Sequence, residues 1–270
     1  MSTDGVKSTR ASSAEKLWLA AIIAAAVILY IPTLKFFWIK WLEDSQYSLA
    51  PLVPFVTGYY LWKKWPEAAA LRRAGSAWGL ALIVPALVFH VAGTLLDVRG
   101  PSGISVYICL LGLCLYLHGP MLVRTLAFPL AYTLFMMPVP GGILDLVGSP
   151  LQLFASRGTA ALLHLMHISA VRDGITLTID GYTYNVAPAC SGLSSLVALI
   201  GVTAVFAYSV NLPGKYKWTM FFLAIPIALA ANIVRITTIG LVGVQWGPDV
   251  AMDMFHDWSS PILFLAAIII

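Results

Sequence analysis

The sequence predicts an all-α polytopic membrane protein of about eight transmembrane helices, with an extracytoplasmic amphipathic helix and a small β-hairpin. Three observations carry this. The chain is 60% hydrophobic and only 10% charged, with a mean hydropathy of +0.86, far outside soluble globular usage. Apolar runs of spanning length recur from end to end. The basic residues fall between these runs, so the net charge of +4 reports on topology and gives no reason to expect nucleic acid as a partner. Residues 1–270 are expected to form a single integral membrane domain, without internal repeats or low-complexity tracts.

The polar N-terminus, residues 1–16, carries Lys7, Arg10 and Lys16 and is expected to be cytoplasmic. No small-residue cleavage site follows, so the first apolar run reads as an uncleaved helix from about Leu17 to Phe37. A second helix, about Tyr47 to Trp62, contains Pro51 and Pro54, which predict a kink. The basic loop with Lys63, Lys64, Arg72 and Arg73 precedes a third helix, about Ala77 to Leu96. A fourth runs from about Gly103 to Leu117, and a fifth follows Arg124 and ends near Met137-Pro138-Val139-Pro140. A sixth extends from about Leu193 to Val210 and a seventh from about Trp218 to Val242. The last apolar run, from Trp258, has only about a dozen residues, short for a span and as expected of a truncated form.

Residues 143–188 break the pattern. Residues 143–168 are long enough to span but hold Asp145, Gln152, Ser156, Arg157, His164 and His167, which fits an amphipathic helix on the membrane surface. The period then changes to two: Ile175, Leu177 and Ile179 alternate with Thr176, Thr178 and Asp180. Asp180-Gly181 is a tight-turn signal, and Tyr182, Tyr184 and Val186 follow, so a β-hairpin is expected. Placing 143–188 outside the cytoplasm puts Lys63, Lys64, Arg72, Arg73, Arg124, Lys215 and Lys217 inside, as the charge rule requires.

In that orientation three groups from separate segments meet at one outer face: Cys190, Arg235 and His256. Cys190 lies at the N-terminus of the sixth helix, where unpaired N–H groups and the helix dipole favour a thiolate. The N–H groups of Ser191 and Gly192 could face a developing oxyanion. A thiol needs a base or cationic neighbour to act as a nucleophile, and His256 can supply one. An arginine in an apolar helix is costly and marks a functional site by default, which singles out Arg235. Asn232 lies three residues earlier on the same helical face and could orient it. The plain alternatives are a cysteine that merely begins a helix, an arginine that pairs with Asp249, Asp253 or Asp257, and an interfacial histidine beside Trp258. Cys109 and Cys114 lie in an apolar helix and read as buried small hydrophobes.

Ala189-Cys190-Ser191-Gly192-Leu193, Ala231-Asn232-Ile233-Val234-Arg235-Ile236 and Phe255-His256-Asp257-Trp258-Ser259, in this order and spacing, resemble the exosortase/archaeosortase membrane cysteine transpeptidases. Tyr47-Ser48-Leu49-Ala50-Pro51-Leu52 and Phe128-Pro129-Leu130-Ala131 through Pro138 extend the likeness over nearly the whole chain. The resemblance implies eight spans and a Cys–His–Arg site on the extracytoplasmic side of the cytoplasmic membrane. It implies cleavage of a membrane-anchored substrate at a C-terminal sorting signal made of a short Pro-Glu-Pro-like motif, a membrane helix and a basic tail. The upstream part then passes to an unknown acyl acceptor. By motif match Cys190 is the nucleophile, Arg235 the oxyanion or substrate arginine and His256 the acid/base, with Ser191, Gly192, Asn232 and Asp257 binding or orienting substrate. Ser194 and Leu49 depart from the family, which often has Arg and His there.

No cofactor and no metal site are expected: His164 and His167 are spaced i, i+3, but no His-Glu-x-x-His motif is present. A rival reading is a membrane transporter or an assembly factor for exported polysaccharide, with Arg235 on a substrate path and helices broken at Pro51, Pro54 and Pro226. A second is a plain protease that passes the acyl group to water; its first half-reaction is the same.

Overall fold

The computed structural model describes residues 13–47, 49–71, 75–96, 98–139, 141–247 and 249–251. It is mostly helical. In chain order the helices are α1 (Ser13–Glu43), α2 (Val53–Ala70), α3 (Trp78–Leu95), α4 (Arg99–His118), α5 (Pro120–Thr125), α6 (Ala127–Tyr132), α7 (Gly141–Leu165), α8 (Leu193–Ser209) and α9 (Gly214–Trp246). Between α7 and α8 lies a three-stranded antiparallel sheet, β1 (Ala170–Asp173), β2 (Thr176–Ile179) and β3 (Tyr182–Asn185), in the order β1-β2-β3.

Four helical stretches are long and apolar enough to cross a membrane: Ala20–Glu43, Trp78–Leu95, Gly100–His118 and Gly214–Trp246. Ala127–Met136 and Gly141–Leu165, bent by 80° to each other, make a fifth if counted as one broken span. Leu193–Ser209 is apolar but shorter. The chain is thus a multi-pass membrane protein with four or five candidate spans among the described residues, where eight were expected. The expected eighth helix lies outside those residues.

Prolines explain two differences from the sequence expectation. The second helix does not start at Tyr47. Two 3-10 turns, Ser45–Tyr47 and Ala50–Leu52, come first, and Pro54 opens α2 at a position where no N–H is needed. The fifth helix is broken into α5, α6 and a 3-10 turn at Thr133–Met136. Pro129 has no N–H to give the carbonyl of Thr125, where α5 ends.

Packing in α1, α3 and α4 rests on small residues and one polar knot. A Cβ on Gly79 would lie 2.4 Å from the Tyr116 nitrogen, and one on Gly112 would lie 2.8 Å from Ile83, so both glycines permit close helix approach. His90 Nδ1 meets Ser102 Oγ at 2.9 Å, and Ser102 Oγ meets Thr33 Oγ1 at 2.7 Å, which joins the three helices inside the apolar layer. Tyr60, Phe128 and Tyr208 join α2, α6 and α8, with the Phe128 and Tyr208 rings stacked at 3.8 Å.

The α7 helix keeps only part of the expected polarity: Asp145, Arg157 and His164 are exposed. Gln152, Ser156 and Thr159 are buried, while Leu146, Phe154 and Leu165 are exposed. Two of the polar residues read as facing water instead hold the sheet: Gln152 Nε2 donates to the Val186 carbonyl at 3.1 Å and Ser156 Oγ to the Gly174 carbonyl at 3.0 Å. Where the sequence predicted a hairpin, the sheet has a third strand. Ala170–Asp173 is too short and charged to show alternation, but it pairs with β2 in register Ala170↔Ile179 through Asp173↔Thr176. The predicted Asp180-Gly181 turn is present, with φ of +48° and +82°, the pair of positive values that a two-residue hairpin of this type needs.

Candidate functional site

Cys190 ends a 3-10 turn, Pro188–Cys190, rather than beginning α8 itself. Its N–H donates to the Ala187 carbonyl at 2.8 Å, and the Ser191 N–H donates to the Pro188 carbonyl at 3.1 Å. The Ser191 N–H is therefore engaged within the turn, and Gly192 supplies the remaining N–H of the expected oxyanion pair. Ser191 is buried, and its Oγ accepts the Leu193 N–H at 3.3 Å, which satisfies one of the first donors of α8. Gly192 turns the chain into the helix with φ +86°, a left-handed value that favours glycine.

The turn is held from α9. Asn232, 2% exposed, donates from Nδ2 to the Cys190 carbonyl at 2.9 Å. A Cβ on Gly192 would lie 2.9 Å from that same amide nitrogen, so a glycine is required there for space as well as for φ. One turn further along α9, Ile236 belongs to a buried cluster with Leu177, Val186, Ala155 and Ala160, and Cys190 and Tyr184 pack against it. Arg235, 4% exposed, lies between these two contacts on α9. Cys190 is thereby placed beside the stretch of α9 that carries Asn232 and Arg235. His256 and Asp257 lie outside the described residues.

Two residues escaped the sequence reading. Tyr184 on β3 sends its hydroxyl over Gly240, where a Cβ would collide with it, and the Tyr182 ring lies over Gly243 in the same way. Asn232, Ile236, Gly240 and Gly243 thus form one stripe of α9 that receives the cysteine turn and then the strand. The legible signal was the pairing of Gly240 and Gly243, three apart in an apolar helix, with tyrosines alternating in the hairpin. Burial first, and then Tyr182 and Cys190 nearby, push the Tyr184 hydroxyl well above the usual tyrosine range. The Tyr184 hydroxyl and Asn232 Oδ1 are both buried without a hydrogen-bond partner among the described residues. Such atoms are uncommon in folded proteins and ask for an explanation.

A cavity of about 530 Å³ flanks the first turn of α8, between Leu193, Ser194 and Val197 and the facing Leu49, Phe135 and Val147. Its frame is tied: Tyr47 Oη accepts the Val139 N–H at 3.1 Å, and Trp41 Nε1 donates to the Met136 carbonyl at 2.8 Å. Leu49 also fills a notch at Gly201 of α8. Among the described residues no group of three His, Cys, Asp or Glu side chains is placed to hold a metal ion. His164 Nε2 instead meets the Ala170 carbonyl at 2.9 Å.

The fold and this arrangement define a class: a multi-pass helical membrane protein whose small sheet feeds a cysteine turn docked on an Asn–Arg helix. The family model described as transmembrane exosortase matches residues 41–270, and the chain belongs to that family. No curated protein and no solved structure matches the chain.

Proposed function

We propose that this exosortase is a cysteine endopeptidase/transpeptidase that cleaves a C-terminal Pro-Glu-Pro-type sorting signal of exported, membrane-anchored proteins. The reaction takes place at the outer face of the cytoplasmic membrane, in an enzyme of about eight spans. The observation that supports it best is the Asn232 amide on the Cys190 carbonyl, which ties the one cysteine that lies outside the long apolar helices to the helix carrying buried Arg235. A nucleophile needs such fixed placement, since small displacements cost much rate.

In this reading His256 takes the Cys190 proton, and the thiolate sulfur bonds to the carbonyl carbon of the scissile peptide. Arg235 and the Gly192 N–H stabilise the oxyanion. The C–N bond breaks as His256 returns the proton to the leaving amine, which departs with the substrate's membrane helix. The thioester then passes its acyl group to an acceptor amine or to water, and the thiol is restored.

The experiment is accumulation of full-length substrate in cells carrying enzyme variants, with membrane abundance measured in parallel. Cys190→Ala is expected to abolish processing, and Cys190→Ser nearly so, because an alcohol is far harder to ionise than a thiol. His256→Ala stalls turnover. Arg235→Lys loses on the order of 10²–10³ in rate, as one ammonium does not replace a guanidinium fork. Shortened substrate with Cys190→Ala at normal abundance overturns the cysteine mechanism; function that survives Cys190→Ala and is lost only in Arg235→Lys favours a transporter or assembly role instead.

A further inference from the structure

Among the described residues the two edges of the sheet differ. β1 lies beside α7, where His164 engages the Ala170 carbonyl. β3 is the other edge, and among the described residues no strand pairs with its outer side. The register says which backbone groups point there. The Val186 N–H donates to the Ile175 carbonyl at 3.0 Å, and the two-residue turn closes on the pair Ile179↔Tyr182. Bonded and non-bonded pairs alternate in an antiparallel ladder. Tyr182 and Tyr184 therefore send their N–H and C=O groups to β2, the Val186 N–H continues that side at Ile175, and Thr183 and Asn185 send their backbone groups outward. Both are exposed.

This edge runs directly to the thiol. Ala187 continues the extended backbone, with φ −61° and ψ 156°. Pro188 has no N–H, and the Ala187 carbonyl is taken by the Cys190 N–H, so the ladder stops where the cysteine begins. At roughly 3.3 Å per residue, a peptide of about five extended residues covers the edge from Thr183 to the turn. Beyond Cys190 the chain becomes the apolar helix α8, with the cavity along its first turn. Strand, cysteine and apolar helix follow one another in one direction.

We propose that the outer edge of β3 is the peptide-binding site: the segment just N-terminal to the scissile bond adds as a fourth strand, parallel to β3. It pairs with the backbone of Thr183 and Asn185. The proposal rests on the cleavage reading above and says where that substrate lies. Parallel pairing matches the order of the parts. The extended segment lies along β3, the scissile bond reaches Cys190, and the following membrane helix enters beside α8. Strand addition takes its affinity from main-chain hydrogen bonds, so recognition tolerates varied side chains. A segment with proline at alternate positions still pairs, because the residues without N–H turn away from β3.

The test removes an outward N–H and leaves the backbone bonds of the β2–β3 ladder in place; the Thr183 hydroxyl, which meets Thr178 Oγ1 at 2.9 Å, is lost as well. Thr183→Pro is compatible with an edge position whose N–H faces out. It is expected to lower processing by about tenfold or more, at normal membrane abundance and with unchanged alkylation of Cys190 by a small thiol reagent. Thr183→Val loses the same hydroxyl but keeps the N–H, and is expected to retain most of the processing that Thr183→Pro loses. Equal processing by Thr183→Pro and parent, or an equal loss in both variants, overturns the proposal. Thr183→Cys in a Cys190→Ala background gives a second readout that does not depend on turnover. Disulfide trapping against a cysteine walk through the substrate segment is expected at alternate positions. Trapping spaced by three or four, or none along the segment, overturns strand addition. Failure of the cleavage reading shows separately, as processing that survives Cys190→Ala.

Discussion

Ser102 and Asn232 are both buried polar side chains in long apolar helices, 6% and 2% exposed, yet they are used differently. Ser102 is met on both sides, by His90 and by Thr33, and its contacts join α1, α3 and α4. Asn232 spends its amide on the Cys190 carbonyl and leaves Oδ1 without a partner among the described residues. A satisfied buried network rigidifies a scaffold, whereas an unmet buried acceptor is a cost that a bound group can relieve. The difference separates a holding region from a working one, and substitutions in each can break or sharpen it.

The largest contrast is expected between Asn232→Leu and Ser102→Ala. Asn232→Leu releases the cysteine turn and is expected to lower processing by about 10²-fold with the protein still in the membrane. Ser102→Ala strands His90 and Thr33 and is expected to cost about 1–3 kcal/mol of stability, seen as reduced membrane abundance at an unchanged rate per molecule. If Asn232→Leu acts only through abundance, the contrast fails.

Glycines give the next step. Gly192→Ala forces a side chain into a left-handed backbone at about 1–2 kcal/mol and against the Asn232 amide, and roughly tenfold slower processing is expected. Gly112→Val crowds Ile83 at about 1–3 kcal/mol and should lower thermal stability in detergent without changing the rate per folded molecule.

The smallest effect is expected from Tyr184→Phe. Its hydroxyl has no hydrogen-bond partner among the described residues to lose, so stability near neutral pH should be nearly unchanged. Burial raises the folded-state pKa of Tyr184, so the folded protein keeps a proton that the unfolded chain gives up near pH 10. Stability is then insensitive to this group below that pH and falls above it. Thermal unfolding between pH 9 and about 11 should show a shallower fall for Tyr184→Phe than for the parent. An identical fall in both would remove Tyr184 from the account.

Much of the fold was legible because apolar runs and turn residues act locally. The helices at Trp78–Leu95 and Leu193–Ser209 and the Asp180-Gly181 turn lie within a few residues of their expected bounds. The polar face of α7 was assigned to water because a sequence cannot say what a helix packs against. Gln152 and Ser156 turned inward once the sheet offered them carbonyls. The first strand was missed because four residues carry too little periodicity. At the candidate site, Cys190, Asn232 and Arg235 stood out as polar groups in apolar settings. Tyr184 did not, since a tyrosine in a strand is ordinary until Gly240 is placed beneath it.

By itself the sequence determined a multi-pass helical membrane protein of the exosortase family, because composition and motif order do not depend on packing. Only the tertiary structure decided that α9 receives the cysteine turn through Asn232 and the tyrosines through Gly240 and Gly243. It also left the outer side of β3 without a strand partner among the described residues. Those choices come from contacts between segments some forty to sixty residues apart, such as Cys190 with Asn232 and Tyr184 with Gly240. Their energies depend on shape and on which partner reaches a buried polar group first, and neither is written in local spacing.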